Sequence, residues 1–472
     1  MDVPILSGIY TDQSADIRTR YPRNLVPVSK ASGISGGYLR PGDGLVEHLT
    51  GPGADRGGIL WQGVHYRVMG TSLVKVYASG GFDVLGDVGP GGFCTFDYSF
   101  DRLAMTSGGR LYYLLGGTLI QVTDPDLGVA LCVLWADGYF FTTDGEFIVQ
   151  TELLDPTQID PLKYGSSEID PDPILRLLKL NGEVYAINRN TSEVFDNVGG
   201  TGFVLRRIES AMVQRGTVGT NAACAFGDGA IAFVGSGRNE TVGVYMMANG
   251  SSVRVSTREI DTLLQGLSDA ELADIVLEGR FDRGHEWLYV HLPTQTLVFD
   301  AGATREFRTA VWYTLDSSAA PTPTRYRARG FVLSDGVWYA GDPTTEKLAS
   351  IATTTARHYG SDVAHEFGTM IVYGDGDDAI VHELELVALP GRVAVGLDPV
   401  VWTSYSLDGV TFSVEKYIPA GKIGERTKRI GWRTQGTIRN WRIQRFRWRS
   451  DTLMSVAKLS MRVEPMRTRP GA

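Results

Sequence analysis

Cysteine is scarce: Cys94, Cys132 and Cys224 are the three in 472 residues, odd in number and far apart. That excludes a disulfide framework and a CxxC metal site. Their settings, GFCTF, ALCVLW and AACAF, suit small buried hydrophobes. Proline is sparse too, 20 residues with no rich stretch, while glycine reaches 57. Evenly spread glycine without proline reads as many tight turns rather than disorder. No run approaches the roughly 18 apolar residues of a membrane helix. The start, MDVPILSGIYTD, has neither the basic region nor the long apolar core of a secretory signal. A soluble chain made in a reducing cytosol is expected, and Asn-x-Ser/Thr at Asn190, Asn239 and Asn249 reads as chance.

Catalytic signatures are missing as well. The seven histidines form no HExxH, and His358 and His365, seven apart, make a weak pair. There is no GxSxG elbow and no Walker loop. Asp375, Asp377 and Asp378 in YGDGDDA offer oxygens to calcium, but the rest of an EF-hand loop is absent, so a solvated turn is expected. SLDGVTF, Ser406 to Phe412, is similar to the Asp-box of sialidase propellers, SxDxGxTW. It occurs once and is one residue short, which favours a hairpin with Asp408-Gly409 at its tip. No catalytic residue, cofactor or metal site is expected, and the chain is not read as an enzyme.

What is present is β-rich. From Gly57 to Thr354 short apolar runs alternate with turns, as in ALCVLWADGYFFTTDGEFIVQT. Asp137-Gly138, Asp144-Gly145, Asn181-Gly182, Asp228-Gly229 and Asp335-Gly336 are hairpin signals, because both residue types tolerate positive φ. About seven such units of roughly 30–45 residues match the blades of a β-propeller, with stacked β-domains or a long sandwich as the alternative. One segment departs from the theme. Ser256 to Leu277 has helical spacing, and Ser268 to Glu271 forms a capping box ahead of Leu272, Ile275 and Leu277. The expected organisation is an extended N-terminal arm over 1–50 and a propeller over 51–356 with a helical insert near 257–277. A C-terminal antiparallel, sandwich-like domain over 357–472 completes it. The fold class is mainly β.

The charge is uneven. Residues 421–472 hold 14 Lys/Arg against 3 Asp/Glu, so the net −9 of the chain leaves about −20 on the first 420. The basic part contains WRIQRFRW, Trp441 to Trp448. Alternate strand residues face opposite sides, and a β-bulge near Gln444-Arg445 would align Trp441, Ile443, Phe446 and Trp448 on one core face. Arg439, Arg442, Arg445, Arg447 and Arg449 would then project as a row. Such a row suits subunit or partner docking, with phosphate binding as the alternative.

Several segments together resemble the packaged-DNA stabilisation, or tail hub (nozzle), proteins of lambdoid short-tailed phages. The carriers are SGGYLRPGDGL (Ser35 to Leu45), EGRFDRGHEWLYVHLPTQTLVFDA (Glu278 to Ala301), Trp312, Tyr326-Arg327, Gly341-Asp342, DGVTF and the Arg-rich run through Trp448. They follow the family's order from about residue 20 to 463. The resemblance implies a propeller with an appended β-domain, standing as a homohexameric ring below the portal–adaptor ring of a virion tail. It implies a tail needle or fibre and tailspike proteins as neighbours, double-stranded DNA passing through the lumen without sequence-specific contact, and no membrane span. It carries over no catalytic residue. An acidic wall fits that role, since DNA slides past a surface that repels it. The rival readings are a carbohydrate-binding or glycan-cleaving propeller of a phage tail, and a DNA-binding protein using the arginine strand.

Overall fold

All five Asn-Gly and Asp-Gly pairs lie in the hairpin turns they announce. Asp137-Gly138, Asn181-Gly182 and Asp335-Gly336 have both residues at positive φ, as do Gln62-Gly63 and Arg283-Gly284. Each of these five pairs joins the first strand of a sheet to the second and matches the twist of the strands it connects. Asp144 and Asp228 do not take positive φ. The computed structural model describes residues 2–6, 9–12, 17–30, 33–370, 372–373, 378–439 and 441–466.

Seven antiparallel sheets follow one another along residues 55–352, six with four strands and the fifth with five. Blade 1 runs from Asp55–Trp61 to Phe82–Asp87, blade 4 from Ile174–Leu180 to Leu205–Arg207, and blade 6 from Val276–Asp282 to Trp312–Leu315. In each, the innermost strand, which is the first in chain order except in blade 5, where it is Ala223–Phe226, touches those of the neighbouring blades, and that of blade 7, Arg329–Ser334, touches Asp55–Trp61 of blade 1. The seven innermost strands therefore ring a central axis. This is a β-propeller, and its core is divided between blades: Ile231, Phe233 and Tyr245 of blade 5, for example, pack on Tyr185 and Ile187 of blade 4.

The ring closes on the N-terminal segment. The outer strand of blade 7 is Gly44–Thr50, paired with Lys347–Ala352 from Thr50 opposite Lys347 to Gly44 opposite Ala352. At the axis, the same seam is held by charge. The Arg67 guanidinium donates two bonds to the Asp55 carboxylate, 2.6 and 2.7 Å, and a third to the Gly330 carbonyl of blade 7 at 2.9 Å. Both side chains are fully buried. Gly341 is glycine for this reason: a Cβ there would stand 1.9 Å from the Asp55 carboxyl carbon.

The C-terminal unit is a β-sandwich. One sheet orders Leu25–Ser29, Gly37–Pro41, Ser455–Pro465, Ala379–Leu389 and Ile430–Arg433, with Asp2–Val3 added to Ser455–Pro465. The other orders His365–Gly368, Trp441–Trp448, Val400–Ser406 and Lys416–Pro419. Leu384, Trp432, Phe446, Trp448 and Met461 fill the space between them together with Val3, Ile5, Leu25 and Leu39. The expectation of an arm over 1–50 is corrected here. These residues supply strands to both units, because GYLRP buries alternate side chains, GLVEHLT buries Leu45 and Leu49, and both need partners for their backbone. Arg23 and Asn24 sit at the junction. Arg23 pairs with Asp316, its N–H reaches the Glu366 carbonyl (2.8 Å), and the Asn24 amide reaches that of Ala364 (2.8 Å).

The helical insert forms as Arg258–Gln265 and Asp269–Ala273, with the Ser268/Glu271 capping box complete. Ile260, Leu264 and Leu272 enter the core between blades 5 and 6. Leu277, read with that stripe, lies in the first strand of blade 6 instead. A third helix, Ala301–Phe307, was not expected. It is capped by the Asp300 carboxylate, which accepts the Ala303 N–H at 2.9 Å.

Two buried histidines stand at the junction. His365 stacks on Trp448, ring centres 5.2 Å apart and nearly parallel, and His358 bonds Ser317 through Nδ1 at 2.8 Å. Burial holds His365 down to about 4, with Arg23 adding to the effect and Asp451 opposing it. Burial likewise holds His358 down to about 3. Unfolded histidine titrates near 6.5. As pH falls below that value, the unfolded chain takes up protons that the folded chain refuses, so stability present in full above about pH 6.5 is lost towards pH 4. Thermal midpoints should fall across this window, and fall less for His365→Phe, which keeps the stack and removes the proton site. Parallel curves for the two proteins would remove His365 from the effect.

Candidate docking face

Trp441–Trp448 lies between His365–Gly368 and Val400–Ser406 with unbroken register. Trp402, Thr403, Ser404, Tyr405 and Ser406 oppose Arg447, Phe446, Arg445, Gln444 and Ile443 in turn. There is no bulge at Gln444-Arg445, so the row of five arginines does not form. Strict alternation puts Arg442 and Gln444 on the same side as Phe446 and Trp448.

Arg442 is therefore fully buried. It tolerates the site because its donors are used. Nε and Nη2 reach the Gln444 Oε1 at 3.1 and 2.8 Å, and Nη1 reaches the Gln435 carbonyl at 2.6 Å. Its plane lies 4.0 Å from the centre of the Tyr405 ring. Burial draws its pKa down to about 10. An arginine so held cannot dock a partner, and its role is to order the sandwich.

Arg445 and Arg447 take the opposite face and converge on one carboxylate. Arg447 pairs with Glu415, and Arg445 stands 3.6 Å from it. Arg445 also covers the Phe412 ring at 4.0 Å. Arg439 is exposed and Arg449 half-buried. The loop beside Glu415 carries large exposed apolar groups, Val410, Val414 and Tyr417, the second 89% exposed. The face thus combines arginine planes backed by aromatics, one internal carboxylate and apolar side chains. That mixture suits a protein surface better than a phosphate backbone, which asks for unneutralised cations. Sequence reasoning missed Glu415. Its signal was the single acid in VTFSVEKYIP, directly after the hairpin.

Ser406 to Phe412 forms the expected turn. The Ser406 hydroxyl and the Asp408 carboxylate accept N–H groups from Gly409 (2.8 Å), Val410 (2.9 Å) and Thr411 (2.7 Å), which holds the Asp408 carboxyl below its usual range. Of the candidate calcium loop, Asp375 and Asp377 lie outside the described residues. No group of three or more metal-ligating side chains occurs among the described residues.

The propeller axis is not an open bore. Where the innermost strands begin, Phe93 reaches inward from the loop before blade 2. Its carbonyl accepts the Asn221 amide of blade 5 at 3.5 Å, and the Arg329 guanidinium of blade 7 lies 4.8 Å from its ring centre. Side chains from opposite blades thus meet over the axis.

Both units match one family. The model described as bacteriophage P22 Gp10, beta-propeller, matches residues 1–356, and that described as bacteriophage P22 Gp10, beta-sandwich, matches 364–464. The chain belongs to the bacteriophage P22 Gp10 family. Among curated relatives of this Gp10-family chain is the tail hub protein gp10 of Salmonella phage P22. It is 27% identical over 462 residues, spanning 93% of this chain and 94% of the relative. Among solved structures, the N-terminal domain of Nup159 is similar over 70% of this chain and 98% of that one, at 8% identity and a TM-score of 0.42. PorZ of Porphyromonas gingivalis is similar over 64% and 37%, at 12% and 0.38.

Proposed function

We propose that this chain is a tail hub subunit of a P22-like phage that helps to stabilise packaged DNA. The observation that carries the reading is the end-to-end match, through propeller and sandwich alike, to a tail hub protein. In the finer form, six copies stand as a ring below the portal–adaptor and extend its channel until a needle or fibre plug is released. Tailspikes attach to the same assembly. The Phe93 obstruction supports one detail: duplex DNA, far wider than a propeller axis crossed by side chains, runs in the space the copies enclose between them. The net charge of about −20 on the first 420 residues supports a wall that DNA slides past. The role is structural and asks for no catalysis.

The test is the mass of the purified chain, alone and mixed with a portal–adaptor complex. Six copies joining the complex is the expected result, and a chain that ignores the adaptor would sink the finer form. The docking face has its own test. Arg439→Glu with Arg449→Glu is expected to weaken joining by at least about tenfold, since each reversal replaces an attraction by a repulsion, while leaving the melting curve nearly unchanged. Normal joining by this variant would remove the face from the interface. Salt-sensitive duplex binding by the chain, abolished by the same pair, would assign it to DNA instead.

A further inference from the structure

The mouth of the propeller axis holds a cavity of about 200 Å³, lined by Arg176 of blade 4, Asn221 and Cys224 of blade 5, Glu278 of blade 6, Phe331 of blade 7 and Phe93. Arg176 is the anomaly. It is a cation in the otherwise apolar start of ILRLLKL. Its Nε and Nη1 are shielded from solvent and have no hydrogen-bond partner among the described residues. Buried guanidinium N–H groups are costly to leave unmade, and an unsatisfied pair beside a cavity points to a missing acceptor.

The protein does not supply that acceptor. The Asp97 carboxylate, close enough to feel Arg176, is occupied by the N–H groups of Trp135 (2.6 Å) and Tyr98 (2.8 Å). Glu278 is occupied by His291 (2.7 Å) and the N–H groups of Gly330 (3.0 Å) and Phe331 (2.9 Å). Arg329, whose Nε is also buried and unpaired, is close enough to offset part of its charge.

We propose that this axial cavity is a binding site for a small free oxyanion of phosphate size, with Arg176 as its charged anchor and the Asn221 amide beside it. A buried guanidinium N–H gives a short, charge-assisted bond to an oxygen of such an ion. The cavity is smaller than the roughly 300 Å³ at which pockets begin to hold drug-sized ligands, so a nucleotide is excluded. Bound there, the ion ties blade 4 to blade 5 across the axis.

The test uses the full chain and inorganic phosphate at constant ionic strength, with chloride as the balance. The thermal midpoint should rise saturably with phosphate, because the ion binds only the folded form. Arg176→Gln should lose at least about tenfold in phosphate affinity, and Arg176→Lys should keep part of it. Broadening of the phosphorus resonance by the parent protein, reversed by sulfate and not by chloride or AMP, is a readout that needs no variant. The proposal is overturned by a parent midpoint that does not respond up to millimolar phosphate. A phosphate response identical in parent and Arg176→Gln, or reversal by AMP as efficient as by sulfate, overturns it equally. Should Arg176→Gln fail to fold, Arg176→Lys and the resonance titration decide.

Discussion

An Asp55→Ala chain is expected to be about 3–5 kcal/mol less stable than its parent, the cost of leaving a buried charge without its partner. Arg67 has no water to turn to, being fully buried, and its remaining bonds to the Gly330 carbonyl and toward His65 are to neutral groups. The loss is concentrated at the seam between blades 1 and 7, where the ring must close. Urea melts of parent and variant at neutral pH measure it, with an unchanged slope showing that the same surface unfolds. Gly341→Ala attacks the same spot from the other side, because its new methyl group and the Asp55 carboxylate claim one position. A variant within about 1 kcal/mol of the parent, the effect of an ordinary substitution, would show that the seam is held by something else. Arg67→Met with Asp55→Leu should recover much of the loss, since an apolar pair of similar volume needs no counter-charge.

Removal of residues 1–50 is expected to unfold both units rather than trim them. Val3, Ile5, Leu25 and Leu39 belong to the sandwich core, and burying such side chains is worth about 1.5–3 kcal/mol each. The four together approach the whole stability of an ordinary domain, roughly 5–15 kcal/mol. Leu45 and Leu49, buried in blade 7, are lost in the same stroke, and Lys347–Ala352 is left as an open edge. Limited proteolysis and far-ultraviolet circular dichroism give the answer. The parent should resist and melt cooperatively, and the shortened chain should be digested throughout and tend to aggregate. Cooperative melting near the parent's midpoint would return 1–50 to the status of an appendage.

The propeller was legible because its grammar is local. Turn pairs such as Asn181-Gly182 and short apolar runs such as VYAI state a hairpin within a dozen residues, and seven repetitions state the architecture. The capping box at Ser268 was legible for the same reason. What pairs with Gly44–Thr50 was not, since its partner lies about 300 residues away and nothing in GLVEHLT names it. The arginine strand failed for a subtler reason. Phe446 and Trp448 are out of phase with Trp441 and Ile443, and from the sequence alone a bulge is the simplest way to reconcile them. The chain solves the conflict without one: Ile443 is buried on the face opposite Phe446, and Arg442 and Gln444 share the core face by satisfying each other. Helix Ala301–Phe307 was overlooked because the run LVFDA continues a strand, and Asp300 announces a cap only once the strand is known to stop.

The clasp between Gly44–Thr50 and Lys347–Ala352 sets the timing of synthesis. At translation rates of about 5–20 residues per second, the ribosome makes the closing strand some 15–60 seconds before it makes the strand that receives it. The sandwich waits longer, since Asp2 pairs with Ser460. During that interval the nascent chain carries finished middle blades and an unpaired leading segment. Closure joins an early-made part of the polypeptide to a late-made one, so an early stop in translation leaves no closed product to enter a virion.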